Sequence, residues 1–255
     1  DKILKHTTKG GYFTLIGGLD NISHLLPFYS IWEISREIRR DEKALAFWNN
    51  TPTDTIAEKI SEAPFGERIL KYIEDYGYHS KKELDVTYPS FYEDINTIIN
   101  DVKNTCALGD DCSPEKDSLR LREDFRKEME QIKKKLSSSA YKKFEKNVSE
   151  MRSLLWWREE FRDVSTRFYC IIRAYTLRLA EALLSDQIIN NVNDIWFTKI
   201  EDVRNLLDSK ISKEELAKII ERNKIYYTSF RNYQNENEIG STFNGTATNS
   251  SDKAL

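Results

Sequence analysis

Between a helical pattern that ends at Tyr76 and another that resumes at Tyr92 lies Tyr76-Gly77-Tyr78-His79-Ser80-Lys81-Lys82-Glu83-Leu84-Asp85-Val86-Thr87-Tyr88-Pro89-Ser90-Phe91-Tyr92-Glu93-Asp94. Connections held on a rigid scaffold are where binding groups collect. Histidine as a residue type has an ordinary pKa near neutrality, so His79 suits a general base or a polar contact to a bound molecule. It equally suits a loop histidine hydrogen-bonded to Glu83 or Asp85. Those two acids stand two residues apart and share a face only if the segment is extended. Tyr76, Tyr78, Tyr88, Phe91 and Tyr92 either pack against the body or floor an apolar ligand site.

A second candidate lies further on. Met151, Leu154, Arg158, Phe161, Ser165, Phe168, Ile172, Tyr175, Leu179 and Ala182 alternate steps of three and four, a heptad-like seam. Arg158 and Ser165 are its polar intruders. An arginine inside a seam needs partners, because an unpaired internal charge is costly. Glu159 and Glu160 project elsewhere on a regular helix, while Arg162 lies one turn away on the same side. Two readings follow: Arg158 pairs with a carboxylate from another helix, or Arg158 and Arg162 line a cavity and hold an anionic or polar ligand.

The elements that position these residues read as helices. The 255 residues include nine glycines and five prolines, few breakers for that length. Residues 1–19 read as irregular. A helical pattern runs from 20 to 50, with Asp20-Asn21 as a cap and Pro27 limiting its start. Short helices follow to Ile60 and over 65–76, with Gly77 as C-cap. Ser113-Pro114-Glu115 reads as a cap with proline at the first helical position. It opens a charged helix to about Leu136. The longest helix spans roughly 140–184. Asp194-Ile195-Trp196-Phe197 reads as a short extended piece, before helices at 200–207 and 212–227. The fold class is mainly α, multi-helix, with one long helix.

Composition narrows the function. Hydrophobic residues make up 39% and charged residues 32%, so the helices should be amphipathic around a real core. The net charge of −3 argues against a nucleic-acid surface. No apolar run reaches membrane length and no signal peptide stands out, so no membrane partner and a cytoplasmic location are expected. Cys106 and Cys112 either close a small disulfide or remain thiols. No histidine joins them, so no metal site is expected.

The 76–94 stretch resembles a segment of the phosphoenolpyruvate synthase and rifampicin phosphotransferase superfamily. There a helix ends in Y-G-H-R-S, followed by E-L-D-[IVL]-[ST], then P-x-W and an acidic pair. Here the frame reads Y-G-Y-H-S, E-L-D-V-T and P-S-F-Y-E-D, with Tyr78 and His79 at the family's usual histidine and arginine. Trp156-Trp157-Arg158-Glu159-Glu160-Phe161-Arg162 is similar to the family's W-R-E-x-x-R, Arg173 stands near a family arginine, and Asp194 to Phe197 resembles its D-[IV]-F-[FY].

The resemblance covers roughly residues 20–240. It implies a helical region between an ATP-grasp and a phosphohistidine domain, which forms the antibiotic-binding part in the rifampicin enzymes. It thus implies these two domains and a small-molecule acceptor as partners, and ATP and magnesium for the parent enzyme. No cofactor or metal is expected on this segment, which has no P-loop or kinase signature.

The sequence therefore leads us to expect an acceptor-binding or linker domain over 20–240, flanked by an irregular segment (1–19) and a flexible polar tail (241–255). Its expected substrate-binding residues are Tyr76, Tyr78, His79, Glu83, Asp85, Arg158 and Arg162, with His79 the one catalytic candidate. A non-catalytic helical interaction domain is the alternative.

Overall fold

A computed structural model describes residues 11–230. The expected polar tail, and the first ten residues of the expected N-terminal segment, lie outside the described residues. Ten α-helices occur among the described residues, with no sheet beyond one isolated bridge between Ser80 and Ser90. The mainly α expectation holds.

The helices are α1 (Gly11–Ile16), α2 (Leu26–Arg40), α3 (Glu42–Asn50), α4 (Thr53–Glu58), α5 (Gly66–Tyr76), α6 (Ile95–Ala107), α7 (Pro114–Lys135), α8 (Ser138–Ser185), α9 (Ile200–Leu207) and α10 (Lys213–Phe230). Local chemistry sets many of their ends. The Asp41 carboxylate accepts from the amides of Lys43 and Ala44 at 2.9 and 3.0 Å, which separates α3 from α2. Ser113 caps α7 ahead of Pro114, as expected. Acids in its first turn and Lys133, Lys134 and Lys135 in its last complement the helix dipole.

Three expectations are corrected. Gly11–Ile16 is helical rather than irregular, because Leu15 buries its side chain beside Ile132, Phe144 and Val148. Asp20-Asn21 caps nothing; a 3-10 turn at Ser23–Leu25 starts the chain into α2 instead. Asp194 to Phe197 lies in a 3-10 helix, Val192–Phe197, in which Asp194 bonds back to the amides of Asn190 and Asn191.

Contacts divide the chain into two compact units at Tyr175 and Thr176, within α8. In the first, Ile31, Ile34 and Ile38 of α2 meet Trp48 of α3, Ile69 and Tyr72 of α5, and Ile98, Ile99 and Val102 of α6. Trp48 is fully buried, and its indole nitrogen donates to the carbonyl of Pro64 at 2.9 Å. A smaller cluster joins α1, α7 and the start of α8. There Arg152 donates to the carbonyls of Leu15, Gly17 and Gly18. Gly18 has φ +61°, and a Cβ there would meet the Arg122 amide nitrogen at 2.7 Å, so only glycine fits. The second unit closes Ala180, Leu183, Ile189, Ile195, Val203, Leu216 and Ile220 into its own core.

α8 is 48 residues long, about 72 Å at the usual rise. The expected seam shares one face, but that face is outside: Leu154, Phe161, Phe168, Ile172 and Tyr175 are exposed. Glu159, Asp163, Thr166 and Arg173 are the buried side. Step size identifies which residues share a face, not which face meets the body. Cys106, Cys112 and Cys170 are unbridged thiols, and Cys106 lies in α6.

Candidate functional site

The connection between α5 and α6 is folded back on itself. The Phe91 amide donates to the carbonyl of His79 at 2.8 Å and the Tyr92 amide to that of Gly77 at 3.0 Å. Gly77 has an ordinary helical φ of −63°, so it is not a left-handed cap. Its need for glycine is space: a Cβ would stand 2.4 Å from the Ile73 carbonyl oxygen and from the Tyr92 ring. At the tip, one Asp85 oxygen accepts from the Thr87 amide and hydroxyl at 3.0 and 2.6 Å.

This loop is fastened to the buried side of α8. The Tyr78 hydroxyl donates to Asp163 at 2.7 Å, and Arg167 lies over the Tyr78 ring, 4.0 Å from its centre. Burial, then the Asp163 carboxylate, pushes the Tyr78 phenol well above its usual range. Arg173 forks onto Glu93 with bonds of 2.8 and 3.0 Å and gives a third to the carbonyl of Val86 at 2.7 Å. Burial raises the Glu93 carboxyl, but its bonds from Arg173 and Ser90 outweigh that and hold it below the usual range.

His79 is buried between two carboxylates. Its Nδ1 lies 2.8 Å from Glu83 Oε1 and its Nε2 lies 3.6 Å from Asp163 Oδ1, without a hydrogen bond. The other oxygen of Glu83 accepts from Arg162 Nε at 3.0 Å. The bond from His79, followed by the nearby charge of Arg162, holds the Glu83 carboxyl below its usual range.

Beside this triad opens a cavity of about 550 Å³. Its polar lining is His24, His79, Ser80, Lys81, Glu83, Asp101, Asn104, Thr105 and Arg162; Pro27, Phe28, Ile31, Tyr72 and Phe91 supply the aromatic and apolar wall. His24 Nδ1 is buried without a hydrogen bond, 3.4 Å from Glu159 Oε2. Burial raises the Asp101 carboxyl above its usual range. A guanidinium, two imidazoles and two carboxylates beside an aromatic wall match a ligand with both polar and apolar parts. No group of three or more metal-ligating side chains forms among the described residues.

Of the residues expected at the site, His79, Glu83 and Arg162 come together on this cavity. Tyr78 supports them from behind through Asp163. Tyr76 instead leans on Tyr72 within the α5 packing, 5.3 Å between ring centres. Asp85 closes the loop tip away from the cavity, because the segment turns rather than extends.

Arg158 has its side chain 72% exposed and pairs with Glu159, the neighbour that helix geometry seemed to exclude. It borders a second hollow, lined by Ile22, Leu25 and Leu121, that shares the His24 and Arg162 walls with the cavity. His24, Tyr72, Asp101 and Asn104 had no signal in the sequence, since they come from three separate elements: the 3-10 turn before α2, α5 and α6.

A family model, the rifampicin phosphotransferase fourth domain, matches residues 1–159. The chain belongs to that family. It is also similar to an uncharacterized phosphotransferase, YvkC, of Bacillus subtilis (strain 168), with 20% identity over 196 residues. That match takes in 73% of this chain and 23% of the relative, so the chain spans about a quarter of that protein's length. The family match ends within the Trp156–Arg162 segment. It therefore takes in the whole loop and the His24, Tyr72 and Asp101 walls, but neither Arg162 nor the partners Asp163 and Arg173.

Proposed function

We propose that this chain supplies the acceptor-binding part of an ATP-dependent phosphotransferase related to phosphoenolpyruvate synthase, and binds rather than transfers. The observation that carries this is the cavity between the folded loop, α2, α6 and α8. His79, Glu83 and Arg162 meet there opposite Ile31, Tyr72 and Phe91. Arg162 gives the polar end of an acceptor a partner with fork geometry, and Glu83 fixes its direction. His79 positions Glu83 through Nδ1, because both of its nitrogens face carboxylates.

In this reading ATP and magnesium belong to the rest of the parent enzyme, where an ATP-grasp and a phosphohistidine domain are the working partners. Phosphoryl transfer needs metal and phosphate clamps, which that division of labour places elsewhere.

The test uses the full-length parent with rifampicin and pyruvate as probes, read by calorimetry. Arg162→Ala should weaken binding of the accepted probe by about tenfold or more, the loss of a charged hydrogen bond. Arg158→Ala, at an exposed side chain that does not line the cavity, should leave it unchanged. Equal affinity in both variants, with an unfolding midpoint lowered by Arg162→Ala, would make the cavity structural and overturn the reading.

A further inference from the structure

Residues 154–175 of α8 present Leu154, Trp157, Phe161, Val164, Phe168, Ile171 and Tyr175 on one outward face. The steps between them are three, four, three, four, three and four. Leu154 is 71% exposed, Phe161 63%, Phe168 61% and Tyr175 64%. The opposite side of the same turns is fixed by Glu159, Asp163 and Arg173 to the rest of its unit, so the helix cannot rotate to bury the stripe. From the geometry we propose that this face is a self-association surface: a second copy of this chain packs its own 154–175 segment against it as a two-helix coiled coil.

The spacing is the first argument. Alternation of three and four over three heptads is the pattern that knobs-into-holes packing with another helix requires. The chain itself supplies a helix with that repeat, about 32 Å long at the usual rise.

Area is the second. Each large aromatic offers 150–250 Å² when covered, so this face offers on the order of 1,000 Å² per copy. That matches the roughly 800 Å² per partner of a standard stable interface. It also exceeds the patches ordinary on monomers, which are about 300–600 Å².

Glu160 and Arg167, which flank the seam, are held within the chain by Ser23 and by Asp163 and Tyr78, so the pairing rests on the apolar residues. An antiparallel pairing that sets Phe161 opposite the partner copy's Val164 makes the same contact twice by symmetry. Trp157 then faces the partner copy's Phe168, and Leu154 its Ile171. This inference does not depend on the acceptor reading, since the seam lies on the face of α8 turned away from the cavity side chains.

Sedimentation equilibrium of residues 1–255 tests it. One copy weighs 30.0 kDa, so a dimer weighs twice that. The expected result is a concentration-dependent dimer. It should dissociate at least a hundredfold more readily in Phe161→Lys/Phe168→Glu, with an unchanged circular dichroism spectrum. Leu119→Ser, at an exposed apolar residue on α7, should keep the dimer. A monomer at every concentration would overturn the proposal and leave the seam to another segment of a longer polypeptide. A dimer that survives the double substitution would overturn it too.

Discussion

The α2–α3–α5–α6 cluster and the 154–175 stretch of α8 are built from the same residue types in opposite directions. In the cluster, Ile34, Ile38, Trp48, Ile69 and Ile98 point inward and are fully or almost fully buried. Along α8, Phe161, Phe168 and Tyr175 point outward while Glu159, Asp163 and Arg173 point inward. Apolar transfer from water holds the first region. The second is held to its unit by charged hydrogen bonds to the folded loop, which fix geometry but add less net stability than apolar burial. A helix can be firmly oriented by its polar side and still have its apolar side available for something else.

The sharpest way to break this comparison is to truncate one large side chain in each region. Trp48→Ala should cost about 3–5 kcal/mol, because it opens a cavity in a closed core and leaves the Pro64 carbonyl without its donor. Phe168→Ala should cost within about 0.5 kcal/mol at concentrations where the chain is monomeric, as for an exposed position. Urea denaturation of both variants in dilute protein checks this. Similar losses in the two would mean that α8 buries its seam within its own chain.

A smaller effect is expected where the loop meets α8. Glu93→Ala removes the fork partner of Arg173, whose side chain is itself buried. The cost should be about 2–3 kcal/mol, below that of a core tryptophan. The loss should be local as well: amide exchange should speed up at the Phe91 and Tyr92 amides, which close the fold-back. An even loss of protection over the whole first unit would mean that the loop is part of the core rather than fastened to it.

Much of this was legible in the sequence, for separable reasons. Helix existence was readable because caps are local: Ser113-Pro114-Glu115 marks α7 from three neighbouring residues, and α9 lies where the sequence placed it. The 76–94 loop stood out because tyrosines, a histidine and acids crowd a short span. The hydrogen bond of His79 to Glu83 was one of two partners foreseen. The inward face of α8 was not readable, since the repeat of three and four gives a stripe without saying whether its partner lies in the same chain. Arg158 was misplaced for that reason. His24 and Asp101 did not stand out as site residues because only the fold brings the 3-10 turn before α2, α6 and the loop to one cavity. The division at Tyr175 had no cue either, since no glycine, proline or polar run interrupts α8 there.

The smallest expected effect, and the one most specific to the polar side, is a pH dependence. The Glu83 carboxyl is held below its usual range, first by the hydrogen bond from His79 and then by the charge of Arg162. A carboxyl with a folded-state pKa below its unfolded value adds stability that is fully present above the unfolded value, about 4.3. That contribution is lost as the pH falls through the lower folded value, because the proton then taken up breaks the contacts with His79 and Arg162. Glu93 is held down in the same direction, so its contribution fades over the same acid range. The apolar cluster has no carboxyl held down in this way, and the term of Asp101 on α6, raised by burial, runs in the opposite direction. Urea midpoints measured from pH 6 down to pH 3 should therefore fall with acid, and Glu83→Gln should flatten part of that fall while lowering the midpoint at pH 6. The core variant Trp48→Ala should lower the midpoint at every pH without changing the slope. A Glu83→Gln profile parallel to that of the unsubstituted chain would show that the bonds among His79, Glu83 and Arg162 add nothing to folding. The loop would then be held by Glu93, Arg173 and Tyr78 alone.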